Sequence, residues 1–75
     1  MMSLVDLNIG DRAVVKKLHA TSTLKHRFLS FGMIKGADVR VLAVAPAKNT
    51  IEIEVGKMKI ALRKEEAKTV EVERI

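Results

Sequence analysis

The sharpest pattern in the chain is a regular alternation of apolar and mostly charged residues across positions 51–63. Gly56-Lys57 interrupts it at the centre and suits a two-residue type II′ turn, in which glycine supplies the positive φ. The pattern therefore predicts a β-hairpin that pairs Val55 with Met58, Glu54 with Lys59 and Ile53 with Ile60. One face of the hairpin should then be entirely apolar and face the core: Ile51, Ile53, Val55, Met58, Ile60 and Leu62.

Three further segments predict strands. Residues 12–19 are rich in valine, and Val70 and Val72 alternate with glutamates near the end of the chain. Residues 38–45 form the third segment, in which one face should be shared by Val39, Val41, Ala43 and Ala45. Turn-forming residues at 8–11 and 46–49 bound these strands, and residues 64–67 are long enough for one helical turn.

The segment between the first two strands predicts a short α-helix over about residues 23–31. Leu24, Phe28 and Phe31 recur at helical spacing and define one apolar face. Gly32 can adopt the left-handed conformation that ends a helix. Residues 34–37 then suit a type II turn, with Gly36 at the position that requires positive φ. A helix this short is not stable alone, so it must pack on the sheet.

Five short strands and one helix predict a single domain over residues 1–75, mostly β, folded as a small β-barrel. The helix should cover one open end of the barrel with Phe28 and Leu24. The side chains expected inside the barrel are Val15, Val39, Val41, Ile51, Ile53, Val55, Ile60, Leu62, Val70 and Val72.

Composition limits the function. The 75 residues include no cysteine, so disulfides and thiolate metal sites are excluded, and the chain suits a reducing cytosol. The N-terminal residues lack the features of a signal peptide, and no apolar run approaches the ~20 residues of a membrane span. The net charge of +5 suits either an acidic partner or simply a solvated surface.

Catalytic and metal sites find little support in the sequence. His19 and His26 are the only side chains that titrate ordinarily near neutral pH, and no carboxylate stands at a ligand spacing between them. No phosphate-binding or nucleophile motif is present. We therefore expect no enzyme activity, no cofactor and no bound metal. A basic small barrel could instead bind nucleic acid, but stacking platforms are few, since Phe28 and Phe31 are the only aromatic residues.

Several segments, taken in order, resemble the ferrous iron transport protein A (FeoA) family. The segment 7–11, followed by Ala13 and Val15, is similar to the opening of that family, and residues 28–36 are similar to its central leucine- and glycine-rich stretch. Lys35 stands where the family often has proline. The resemblance continues through Val39, Val41, Ala45-Pro46, Ile51, Ile53, residues 61–63, Ala67 and Val72.

The resemblance implies an SH3-like β-barrel that acts in the bacterial cytosol in ferrous iron uptake. The implied partner is the membrane transporter FeoB, through its cytosolic GTPase region, which could recruit the protein to the inner face of the membrane. A role in modulating the assembly or the activity of FeoB is implied, and self-association stays open. Exposed apolar residues bordered by charge favour a protein contact. The contact surface expected on the helix and the following loop comprises Lys25, Arg27, Leu29, Met33, Ile34 and Lys35. Met33 and Ile34 could instead both fold back as the plug of the barrel.

Overall fold

The computed structural model describes residues 1–47 and 49–75, and its strands form one five-stranded antiparallel sheet. The elements in chain order are a 3₁₀ turn (Leu4–Asp6), β1 (Arg12–Leu18), α1 (Ser22–Ser30), β2 (Asp38–Val44), β3 (Thr50–Val55), β4 (Met58–Arg63), α2 (Lys64–Ala67) and β5 (Val70–Arg74). The predicted mostly-β class is confirmed, and the predicted helix is present with its bounds shifted by one residue. The predicted turn at 46–49 includes Lys48, which lies outside the described residues.

The sheet curls into a small barrel. Its strand order is β4-β3-β2-β1-β5, so β4 and β5 are the two edges. Although β4 and β5 are at opposite ends of this order, only residues 64–69 connect them in the chain. Such a short connection requires the two edges to approach one another. The N-terminal segment covers part of the outer edge of β5, where the Val72 N–H donates to the carbonyl of Met2 at 2.8 Å.

The hairpin of β3 and β4 has the predicted register. Val55 pairs with Met58, Glu54 with Lys59 and Ile53 with Ile60, and Gly56 has a φ of +59°. The expectation that Met58 lies in the core is wrong, because its side chain is 50% exposed. Met58 is the first residue of the edge strand β4, next to the turn, so within the described part of the chain no further strand flanks it.

A β-bulge changes the faces of β2. Val41 pairs with Ile53 but Ala43 pairs with Glu52, so Leu42 is an extra residue on β2. The alternation reverses after the bulge, since two residues of one strand then oppose one residue of its partner. Val44 therefore packs against the core and Ala43 is exposed. The expected common face holds for Val39 and Val41 but is wrong for Ala43 and does not reach Ala45.

The core contains nine of the ten side chains expected inside the barrel, and Ile60 is half-buried beside them. Phe28 of α1 is fully buried, while Phe31 and Leu24 pack against the core from its margin. The two phenylalanine rings meet edge to face, with their centroids 5.9 Å apart. Five further apolar side chains outside the expected set are buried as well: Leu4, Leu7, Ala13, Met33 and Ala67.

The end of α1 explains why Met33 is buried. The Met33 N–H donates to the Phe28 carbonyl at 2.9 Å and the Gly32 N–H to the Leu29 carbonyl at 3.2 Å. These are the two hydrogen bonds of a Schellman motif, and Gly32 has the required positive φ of +90°. The motif turns Met33 back onto Phe28, so the expectation that Met33 is exposed for a partner is wrong.

Lys35→Pro should stabilise the protein by about 0.4–1 kcal/mol, because it restricts the unfolded chain at a position that already suits proline. The Ala37 N–H donates to the Ile34 carbonyl at 2.9 Å and Gly36 has a φ of +89°, as in the predicted type II turn. Thermal unfolding should show a raised melting temperature. A lowered one would mean that the backbone at Lys35 does not accept proline.

Candidate interaction surface

Three of the six residues expected to contact a partner line one groove. Lys25, Leu29 and Lys35 lie there together with three residues of β1, and the groove has a volume of about 510 Å³. We call this cleft the lysine groove, defined by Lys16, Lys17, Leu18, Lys25, Leu29 and Lys35. Ile34 is half exposed and borders a neighbouring shallow depression that Lys35 also lines.

Local backbone structure brings the four lysines together. A bulge between Val15 and Lys17 makes Lys16 an extra residue on β1, so that neighbouring lysines both line the groove instead of pointing to opposite faces. Lys25 and Leu29 are one helical turn apart on α1. Lys35 is held close because the Gly36 N–H donates to the Val15 carbonyl at 2.7 Å.

The positive charge of the lysine groove is only partly compensated, by Glu73 near Lys16 and by Glu71 opposite Lys17 in the β1–β5 register. Among the described residues, Lys17, Lys25 and Lys35 form no ion pair, and no acidic side chain lines the groove. Lys16 has only an exposed pair with Glu73, at 3.6 Å. Elsewhere on the surface three arginines are paired more closely, at 2.9 to 3.2 Å: Arg12 with Asp38, Arg27 with Glu66 and Arg74 with Asp11. The groove is therefore a place where a partner could supply the missing carboxylates.

Arg27 faces away from the groove and serves the fold. Its guanidinium donates to Oε2 of Glu66 at 2.9 Å, while the N–H of Arg63 donates to Oε1 at 2.9 Å. The Arg63 N–H and the Arg27 guanidinium together hold the pKa of Glu66 below its ordinary value of 4.5, against the opposing effect of burial. Glu66 thus joins α1 to the start of α2, and Arg27 is committed to that contact.

Glu66→Gln should lower the free energy of unfolding by about 1 kcal/mol at pH 7, since both charge-assisted hydrogen bonds are weakened. The folded pKa of Glu66 is depressed, so its contribution is complete above 4.5 and is lost as the pH falls through the folded pKa. Urea unfolding at pH 7 and at acid pH measures the difference in free energy of unfolding between Glu66→Gln and the wild type, and this difference should be smaller at acid pH. Glu65→Gln is the matched control and should change the free energy of unfolding little. If the stability difference between Glu66→Gln and the wild type did not depend on pH, the role assigned to Glu66 would be contradicted.

The two histidines lie apart from the lysine groove. Nε2 of His19 is 2.7 Å from Oε1 of Glu71, and this hydrogen bond lowers the pKa of the glutamate. His26 is exposed on α1. Across residues 1–47 and 49–75, no three His, Cys, Asp or Glu side chains are grouped as metal ligands.

A second groove lies between the N-terminal segment and the ends of β2 and β3, with a volume of about 520 Å³. Its lining is largely apolar and includes Leu7, Ile9 and Val44, with Lys64 as the one charged side chain among the described residues. It therefore offers little to select a particular partner by charge.

The sequence did not reveal that Lys16, Lys17 and Leu18 belong to the candidate surface. The available signal was the pair of adjacent lysines after the apolar run of residues 13–15. A regular strand would separate them onto opposite faces, and only the bulge and the return of the chain through Lys35 place them in one groove.

Comparison with known families identifies the chain. The family model described as FeoA domain matches residues 2–74. The protein belongs to the FeoA family. This family supplies accessory proteins of ferrous iron transport.

Relatives of known name agree with the FeoA assignment. An Fe(2+) transport protein A of Campylobacter jejuni is 38% identical over 71 residues, which are 95% of this chain and 96% of that protein. An Fe(2+) transport protein A/Fe(2+) transporter FeoB fusion protein of Porphyromonas gingivalis is 30% identical over 74 residues. That match spans 99% of this chain but only 9% of the fusion protein.

A solved FeoA structure confirms the fold. The zinc complex of FeoA from Stenotrophomonas maltophilia, described as a prokaryotic SH3 domain protein, has a TM-score of 0.85 and 34% identity. The match covers 97% of this chain and 91% of that one. In the described part of this FeoA-family chain, the helices are all too short or too polar to span a membrane.

Proposed function

We propose that this FeoA-family protein binds the cytosolic G-protein region of a FeoB-type transporter and modulates the assembly or the activity of that transporter. The observation that carries the proposal is the Porphyromonas gingivalis relative, in which a segment similar to this whole chain is fused to FeoB. Fusion keeps two domains at a high effective concentration, which favours a direct contact between them. The protein would act in the cytoplasm and be recruited to the membrane by its partner.

The proposed contact uses the exposed members of the surface expected from the sequence. Leu29 and Ile34 supply apolar area, with exposed fractions of 42% and 50%, and Lys25 and Lys35 supply charge. Met33 is fully buried and supports this surface from below. Arg27 would take part only at the expense of its contact with Glu66.

Binding of nucleic acid is the less favoured function for this basic barrel. Proteins that bind single strands stack bases on exposed aromatic side chains. Phe28 is fully buried here, and Phe31 is half-buried with its ring against that of Phe28. The lysines remain as an electrostatic attraction, without a surface on which bases could stack.

Binding to the purified cytosolic region of a FeoB-type transporter, measured by calorimetry with GDP and with a non-hydrolysable GTP analogue, tests the proposal. We expect saturable binding whose affinity differs between the two nucleotides, because a modulator must distinguish two states of its target. Light scattering of the free protein separates self-association from binding to the transporter. Absence of saturable binding in both nucleotide states would overturn the proposal.

A further inference from the structure

We propose that the lysine groove receives an acidic peptide segment of the transporter's cytosolic region, in which an apolar side chain lies between carboxylates. The inference rests on the proposed function, because it specifies how that partner is recognised. It also extends the contact surface beyond α1 and the following loop to Lys16, Lys17 and Leu18 of β1.

The charge of the groove calls for an anionic occupant. Four lysine side chains line one cleft, and no carboxylate of the described residues lines it with them. From outside the cleft, Glu73 reaches Lys16 at 3.6 Å and Glu71 stands opposite Lys17 in the β1–β5 register. Lysines gathered in one cleft still repel one another, and partner carboxylates would relieve that repulsion. Lysine side chains are long and flexible, so they can follow carboxylates along a peptide without a fixed bidentate geometry.

The floor of the groove distinguishes a peptide from a simple anion. Leu18 is half-buried and Leu29 is 42% exposed, and both lie among the lysines. A phosphate ion or a nucleotide phosphate gains nothing from this apolar area, whereas an apolar side chain inserted there would be removed from water. An apolar centre with a charged rim is the usual arrangement of a protein contact.

The shape of the groove favours a peptide over a membrane surface. It is an open groove with a volume of about 510 Å³, enough to receive an inserted side chain while the rest of a peptide lies across it. A flat layer of lipid headgroups would contact the rim lysines but leave the floor between Leu18 and Leu29 unfilled. A peptide can contact the rim lysines with its carboxylates and fill the space between Leu18 and Leu29 with an apolar side chain.

The test compares two double variants that change the net charge equally. Lys25→Glu/Lys35→Glu reverses two groove charges, and Lys57→Glu/Lys68→Glu reverses two exposed lysines elsewhere. Affinity for the transporter's cytosolic region is measured by fluorescence anisotropy at low and at high salt. We expect the groove variant to bind roughly 10-fold to 100-fold more weakly, with a smaller dependence on salt, and the control to bind nearly as wild type.

Leu29→Asn tests the apolar part of the contact. It should weaken binding by roughly fivefold while the salt dependence stays that of wild type, since no charge is changed. Circular dichroism and thermal unfolding of every variant verify that the barrel is folded. An unchanged affinity for Leu29→Asn would overturn the apolar half of the inference.

The outcomes separate the inference from the proposed function. No binding by the wild type overturns the proposed function and the inference with it. Binding that falls equally in both double variants, or in neither, overturns the inference alone. The third measurement uses vesicles of phosphatidylglycerol and phosphatidylcholine. If the groove variant alone lost binding to these vesicles but still bound the transporter, the groove would be assigned to lipid and the inference would be overturned.

Discussion

Phe28→Ala should remove about 3–5 kcal/mol from the free energy of unfolding, the usual cost of emptying a fully buried aromatic site. Phe28 is the one side chain of α1 that is fully buried, and it joins the helix to the core of the barrel. A domain of this size has a total stability of only about 4–11 kcal/mol. The variant should therefore lose a large part of its stability and unfold at a clearly lower denaturant concentration than the wild type.

Chemical denaturation of Phe28→Ala beside Phe31→Ala checks this expectation. Phe31 lies on the same helix face but is only half-buried, so its truncation should cost roughly 1–2 kcal/mol. Both truncations remove the contact between the two rings, so the difference between their losses of stability reports the greater burial of Phe28. Equal losses would show that Phe28 does not have the central packing role described here.

Leu4→Ala should cost about 2–5 kcal/mol, because Leu4 is fully buried in the same core. The side chain is placed by the 3₁₀ turn, where the carboxylate of Asp6 accepts the N–H of Ser3 at 2.8 Å. Although it lies near the start of the chain, this segment is therefore part of the domain core and not a loose tail.

Val5→Ala is the matched control for Leu4→Ala. Val5 is the next residue in the same turn but is half-buried and lines the apolar groove, so its loss should be clearly smaller. Urea unfolding of both variants gives the comparison. A loss below that of Val5→Ala would mean that the N-terminal turn does not stabilise the barrel.

These two core positions show what could be predicted from the sequence. Phe28 was predictable because helical spacing and hydrophobicity agree there, and the hairpin register was predictable because alternation and turn chemistry agree at Gly56. Leu4 was not predictable, since a single turn of 3₁₀ helix has no periodicity. Burial of Met33 depends on the Schellman hydrogen bonds to Phe28, which turn an apparently exposed loop residue inward.

The side of the sheet that a residue faces beyond a β-bulge could not be predicted either. Alternation assumes one residue opposite one residue, and the bulges at Leu42 and Lys16 each add one. At Leu42 the effect is confined to packing, because Val44 replaces Ala43 against the core. At Lys16 the effect reaches function as proposed here, since it completes the lysine groove.

Three of the six residues that define the lysine groove could be predicted from the sequence. Lys25, Leu29 and Lys35 were expected on one surface because the helix and its following loop are adjacent in the chain. The β1 side of the groove depends on a contact between segments that are separated in sequence, through the hydrogen bond from Gly36 to Val15. The contact of Arg27 with Glu66 could not be foreseen from local spacing, because the two residues are 39 positions apart.

The most direct test of the central claim is a calorimetric titration of the 75-residue chain into the cytosolic region of a FeoB-type transporter. We predict saturable binding that weakens as the salt concentration rises, as expected for a contact between lysines and carboxylates. Absence of binding, in the presence of either guanine nucleotide, would contradict the claim that this FeoA-family protein acts by associating with the transporter.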